Sequence, residues 1–171
     1  MALIIETGSG SPNAESYSSV EEADNYFSKR GIMLWTQLSE PEKEQMLVRA
    51  TDFMIQEYRA RWAGRRLLGD QALDWPRVGV VMNDGPALRY LPHNSIPLEV
   101  KNACAELALR ASIATLSEDM SPRVLQETVG PITVKYDQYA PVATQYTSVV
   151  SMLKPFFKSG SGGMMVKLGR C

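Results

Sequence analysis

The sequence predicts a mainly α fold: a small helical bundle with a short β-hairpin or two-stranded element and a flexible C-terminal tail. Three features lead there. Two segments open on a Ser-x-x-Glu capping signature and continue with apolar residues at helical spacing. A third, rich in alanine, traces one unbroken apolar seam. Beyond residue 123 the apolar period drops from about 3.6 residues to about 2. With 171 residues, 44% of them hydrophobic and 22% charged, the chain can bury one core. It divides into an N-terminal arm at 1–15, a helical body at 16–158 with its β element near 123–137, and a tail at 159–171.

The first helix starts in SYSSVEEADNYF. Ser18 is the expected N-cap with Glu21 three residues on; Val20, Ala23 and Phe27 then share a face, and Gly31 stops the run. A second start follows in SEPEKEQMLVRATDFMIQEYRARW, where Ser39 and Glu42 repeat the box and Pro41 sits in the first turn. Met46, Leu47, Ala50, Phe53, Met54 and Tyr58 recur along one face, so a long amphipathic helix is expected to end near Trp62, before Gly64 and Gly69. In the third helix Pro97 stands near the start, and Val100, Ala103, Cys104, Leu107, Ala108, Ala111 and Ala114 make the seam. That many alanines let helices approach closely, so this helix is expected to be central and to face the second. VLQETVGPITVKYD alternates on both sides of Gly130 and Pro131, which marks two short strands with exposed edges. Finally, Val149, Val150, Met152, Leu153, Phe156 and Phe157 form a short apolar helix that must dock on the body or a neighbour.

Between the second and third helices lies QALDWPR, residues 71–77. A residue before proline is biased away from helical backbone, so the chain turns there. Trp75 is read as an anchor that buries its indole, with Arg77 pointing outward or closing onto a carboxylate or carbonyl. The loop from Val78 to Ser95 is too irregular for a long element, and its role is open.

Chemistry is sparse. His93 is the one histidine, and no motif surrounds it. The two cysteines, Cys104 on an apolar seam and Cys171 at the end, make neither a disulfide framework nor a zinc quartet. The carboxylates lack calcium-loop spacing, and SGSGG follows a helix rather than a strand, unlike a phosphate loop. The expectation is a protein that is not an enzyme, with no cofactor and no metal. No apolar run reaches bilayer length, and a reducing compartment suits the cysteines.

A net charge of −1 and a pI near 5.9 argue against a protein held to nucleic acid by a general basic excess. One local patch remains. In YRARWAGRR, Arg59, Arg61, Arg65 and Arg66 surround Trp62, a composition that can stack on and neutralise single-stranded DNA; the preferred reading is a solvated helix end whose cations complement the helix dipole. Composition offers no second basic cluster. The tail also has two readings. Ser159–Gly163 is a flexible tether, and the apolar, basic run Met164, Met165, Val166, Lys167, Leu168, Gly169 and Arg170 beyond it is either a docking peptide or a frayed end.

The ordered set SYSSVEEADNYF, Trp35, RATDFMIQEYRARWAGRR, QALDWPR, IPLEVKNACAELAL and VGPITVKYD resembles a family of tailed-phage proteins, encoded among head and neck genes and labelled DnaT-like single-stranded DNA-binding proteins. They are similar to head-to-tail connector, or adaptor, proteins. The resemblance spans about residues 16–157. Its most distinctive piece is Trp62-x-Gly64 followed by Gln71-x-Leu73-x-Trp75-Pro76-Arg77. The long stretch VGVVMNDGPALRYLPHNS departs from the pattern, and the glycine-rich tail lies outside it. The resemblance implies a mainly helical adaptor in the virion, at the phage neck, made in the host cytoplasm and assembled as a dodecameric homo-oligomeric ring. Its partners would be the portal protein and a tail, stopper or neck protein, with non-specific contact to genomic DNA in the channel and none with a membrane. Met164–Arg170 is then the candidate portal-docking or neck-docking segment. The alternative takes the DNA-binding label literally, with Arg61, Trp62, Arg65 and Arg66 as the contact.

Overall fold

The computed structural model describes residues 3–82, 87–117, 126–129, 132–135 and 146–158. Helix α1 (Val20–Ser28) is capped by Ser19, one residue later than expected. The Ser19 hydroxyl accepts from the Glu22 N–H at 3.0 Å, and the Glu22 carboxylate accepts from the Ser19 N–H at 3.0 Å. Both serines have a glutamate three residues on; Ser18 is excluded because it is buried, its N–H held by Ser16 Oγ at 3.2 Å. A single 3-10 turn (Leu34–Gln37) then buries Trp35, whose Nε1 donates to Asp24 Oδ1 at 2.7 Å.

Helix α2 (Glu40–Tyr58) begins as expected, with Pro41 in its first turn and the Glu42 carboxylate accepting from the Ser39 N–H at 2.8 Å. It buries Leu47, Ala50, Thr51, Phe53, Met54 and Tyr58. It stops about one turn short of the expected end. The Arg61 N–H closes a turn onto the Tyr58 carbonyl at 2.9 Å, and Trp62 leaves the helix to pair as an antiparallel bridge with Phe157. Helix α3 (Leu98–Ile113) buries Val100, Ala103, Cys104, Ala105, Leu107, Ala108 and Ala111, and lies between α2 and the short helix α4 (Thr147–Leu153). The alanine seam is thus the centre of the bundle, as its small side chains require. A 3-10 turn, Lys154–Phe156, follows α4 directly.

Three two-stranded antiparallel ladders join these helices: β1 (Arg65–Arg66) with β2 (Arg77–Val78), β3 (Val81–Met82) with β4 (Arg89–Tyr90), and β5 (Gln126–Val129) with β6 (Ile132–Lys135). The last is the expected hairpin, with Val129 opposite Ile132 across the Gly-Pro break. The first two were not expected, because two-residue strands carry no readable alternation. They also give the 78–95 loop partial order.

The arm at 1–15 is secured to the body from residue 3 onward. Ile5 bridges Ser16 in parallel, and Glu6 is fully buried with its carboxylate accepting N–H bonds from Gly8, Gly10 and Ser11 at 2.8, 3.0 and 2.7 Å. Gly8 has φ +107°, and a Cβ there would lie 2.1 Å from the Asn94 carbonyl oxygen, so glycine lets this loop seat against the 94–95 segment. Among the described residues no helix is long and apolar enough to cross a membrane.

Candidate functional site

The distinctive motif folds into one corner, and each of its members has a mechanical task. Trp62 and Trp75 are fully buried, edge to face with centroids 5.6 Å apart. Phe157 packs on Trp62 at 5.1 Å and Phe156 on Trp75 at 5.7 Å, so the segment after α4 closes over both indoles. The Ala63 N–H donates to the Phe156 carbonyl at 2.9 Å, and the Lys158 N–H to the Arg61 carbonyl at 2.8 Å. Gly64 has φ +65°, and a Cβ there would meet the Val78 carbonyl oxygen at 2.4 Å; the β1–β2 ladder therefore needs glycine beside it.

Gln71, buried, staples the turn. Its Nε2 donates to the Leu73 carbonyl at 2.8 Å and to the Pro76 carbonyl at 3.2 Å, while its Oε1 accepts from the Leu68 N–H at 2.8 Å. Leu73 is buried, and the Trp75–Pro76 peptide bond is cis. Arg77 resolves the choice left open by the sequence. Its guanidinium turns inward onto three carbonyls: Nε to Ala63 at 2.7 Å, Nη1 to Asp74 at 3.0 Å and Nη2 to Gly64 at 2.9 Å. Burial pulls Arg77 below the ordinary arginine value, and the nearby Asp74 charge opposes that pull.

Two further members were missed by sequence reasoning. Asp74 is buried and accepts from Arg59 Nε at 2.9 Å. Tyr17, fully buried, accepts the Asp74 N–H on its hydroxyl at 3.0 Å; burial first, then the Asp74 charge, raise the phenol well above its usual value. Neither residue type signals such a role at sequence level, because the link spans 57 positions. Trp62 Nε1, Trp75 Nε1 and Asp74 Oδ2 are buried without a hydrogen-bond partner among the described residues. The corner is therefore held mainly by ring contact and by Arg77, at some cost in unsatisfied polar groups.

This geometry corrects the stacking platform expected at Trp62. An indole with no exposed surface offers no face to a base. The arginines around it are different: Arg61, Arg65 and Arg66 are all exposed. Arg61 lies over the Phe157 ring at 4.2 Å from its centroid, and Arg66 donates to the Gln71 and Gly69 carbonyls at 3.1 and 3.3 Å. Lys158 joins them, its Nζ donating to the Ala60 carbonyl at 3.1 Å. The buried corner thus carries a cationic rim. The candidate docking segment Met164–Arg170 lies outside the described residues, as does Cys171; the chain approaches it through Lys158, beside Arg61.

Elsewhere, Cys104 is a core residue. It sits 3.4 Å from Thr51 Oγ1 and 4.0 Å from Ser16 Oγ, and burial pushes its thiol up, away from the reactive thiolate. His93 is exposed. Among the described residues no cluster of three or more histidine, cysteine, aspartate or glutamate side chains is placed to hold a metal ion.

No curated protein and no solved structure matches the chain. One family model does, over residues 1–171, the whole length on which the corner, the rim and the bundle are built. The chain belongs to the family described as "Putative DnaT-like ssDNA binding protein".

Proposed function

We propose that the protein binds single-stranded DNA without sequence preference, through phosphate contacts from Arg61, Arg65, Arg66 and Lys158. Family membership carries this reading, and the exposed cationic rim supports it. Trp62 takes no direct part; its burial anchors the segment that carries Arg61 and leads into the Arg65–Arg66 strand. With a net charge of −1 the affinity rests on local contacts and falls steeply with salt. Fluorescence anisotropy with a labelled oligothymidylate tests it. The variant R61A/R65A/R66A is expected to bind at least about tenfold more weakly at low salt, with a salt slope smaller by about 0.7 per lost contact. Equal binding by wild type and variant refutes the role of the rim.

A second reading is favoured by the ordered motif set and by the way the chain runs through Lys158 at the rim toward Met164–Arg170. Here the protein is a subunit of a head-to-tail connector in a tailed-phage virion, a dodecameric ring at the neck between the portal protein and a tail or stopper protein. Ring subunits meet through two different faces, and the β5–β6 hairpin and the tail suit such contacts. Weak phosphate contact is compatible with this role, because a connector surrounds the path of the genome and must let DNA pass. Mass measurement and electron microscopy of the protein mixed with its portal test the reading. Truncation after Ser159 is expected to abolish co-assembly while preserving the fold; a monomer that ignores the portal ends it.

A further inference from the structure

Between α1 and α3 a groove of about 370 Å³ opens to solvent. Its lining includes Asn25, Lys29 and Arg30 from the end of α1 and beyond, and Lys101 and Asn102 from the first turns of α3. Among the described lining residues Glu22 is the only carboxylate, and three cations stand against it. Lys101 donates to Glu22, which leaves two of its three ammonium hydrogens for another acceptor. Lys29 is exposed and makes no ion pair among the described residues.

Arg30 adds a planar group. Its Cζ sits 3.5 Å from the Tyr26 ring centroid, and its Nη1 is pinned to the Tyr26 carbonyl at 2.9 Å. The ring beneath is itself fixed, since the Tyr26 hydroxyl donates to Glu106 at 3.0 Å and Glu106 is paired with Arg110. Arg30 is exposed, so one side of the guanidinium rests on tyrosine while the side chain keeps contact with solvent. Guanidinium planes held in this way are surfaces on which unstacked bases settle. The volume lies near the small end of the range for small-molecule pockets, about 300–1,000 Å³.

From these observations we infer that the α1–α3 groove is a second nucleic-acid contact that takes one nucleotide of a single strand. The phosphate lies between Lys29 and Lys101, the base rests on Arg30, and the Asn25 and Asn102 amides are available to sugar or base edges. The inference deepens the DNA-binding reading and rests on it, but uses none of the rim residues. The cationic lining also excludes the basic segment Met164–Arg170 as a natural occupant.

The full-length protein, with an oligothymidylate about 16 nucleotides long, separates the two sites. The K29A/K101A variant is expected to bind about tenfold more weakly at low salt, with a salt slope smaller by about 1.4. R30K keeps the charge and loses the plane. It is expected to weaken binding while leaving the salt slope unchanged, a split that a purely electrostatic role would not produce. Thermal melting of each variant checks that the fold survives. If K29A/K101A and R30K bind like wild type while R61A/R65A/R66A fails, the groove proposal is overturned and the rim reading stands. If the groove variants fail and the rim variant binds normally, the rim is overturned and the groove stands. Loss of binding in all three supports both sites. No binding by wild type, with thymidine monophosphate also inert, overturns both. A change in oligomeric mass in K29A/K101A with unaltered DNA affinity makes the groove a contact between subunits and overturns the proposal.

Discussion

The Trp62–Arg77 corner and the α1–α3 groove both contain arginine beside an aromatic ring, yet they use it in opposite ways. In the corner the arginine is spent inward: Arg77 gives its donors to three backbone carbonyls, and both indoles are fully buried. In the groove Arg30 is anchored by one donor and one ring face, and among the described residues Lys29 and Lys101 retain donors without a partner. A satisfied cation stabilises the fold; a cation with spare donors near solvent is free to bind. The more distinctive the motif in sequence, the less of its chemistry reaches the surface here.

Substitutions test this contrast, beginning with the largest effect. W75A empties a packed site and is expected to cost about 3–5 kcal/mol in denaturant unfolding, with the groove's DNA affinity preserved in the folded fraction. A loss under about 1 kcal/mol would place the indole at an interface instead. R77A leaves three carbonyls without their donor and is expected to cost about 2–3 kcal/mol; R77K recovers little, because an ammonium cannot fork to the same three points. W75F sharpens the account of the corner. It keeps an aromatic ring and removes an N–H that has no partner among the described residues, so it is expected to cost less than half as much as W75A. By contrast, K29A/K101A is expected to change stability by no more than about 1 kcal/mol, since it removes only exposed or half-exposed charge.

The smallest effect is one of pH. Burial alone would raise the Glu22 carboxyl, but Lys101 and the Ser19 N–H together hold it below its ordinary value. Its stabilisation is therefore complete above the unfolded pKa of about 4.3 and is lost as pH falls through the lower folded value. E22Q is expected to flatten the melting-temperature profile in that acidic window and to alter neutral-pH stability by under about 1 kcal/mol. A profile unchanged by E22Q would show that the α1–α3 tie contributes nothing.

Much of the fold was legible because helices announce themselves locally. Ser39, Pro41 and Glu42 mark the start of α2, and the alanine seam marks α3, since capping and 3.6-residue periodicity involve neighbours in the chain. The period-2 hairpin was legible for the same reason. The burial of Trp75 followed from its size and from the proline that turns the chain. What local pattern could not supply was the choice between equivalent signals. Ser18 and Ser19 fit the capping spacing equally, and only the burial of Ser18 beside Ser16 decides for Ser19. Trp62 continued a helical pattern, and only Phe157, from the far end of the described body, draws it out of the helix.

The sequence by itself determined the helices, the hairpin, the anchoring tryptophan and the near-neutral charge, because each depends on residues a few positions apart or on composition alone. Tertiary structure decided where charge gathers. Read along the chain, Lys29 and Arg30 stand about seventy positions from Lys101 and form no second basic cluster. Folding α1 against α3 brings them to one groove, while it turns Arg77 and both tryptophans of the motif inward. Proximity in space follows from which apolar faces pack together, and the sequence carries those faces without naming their partners.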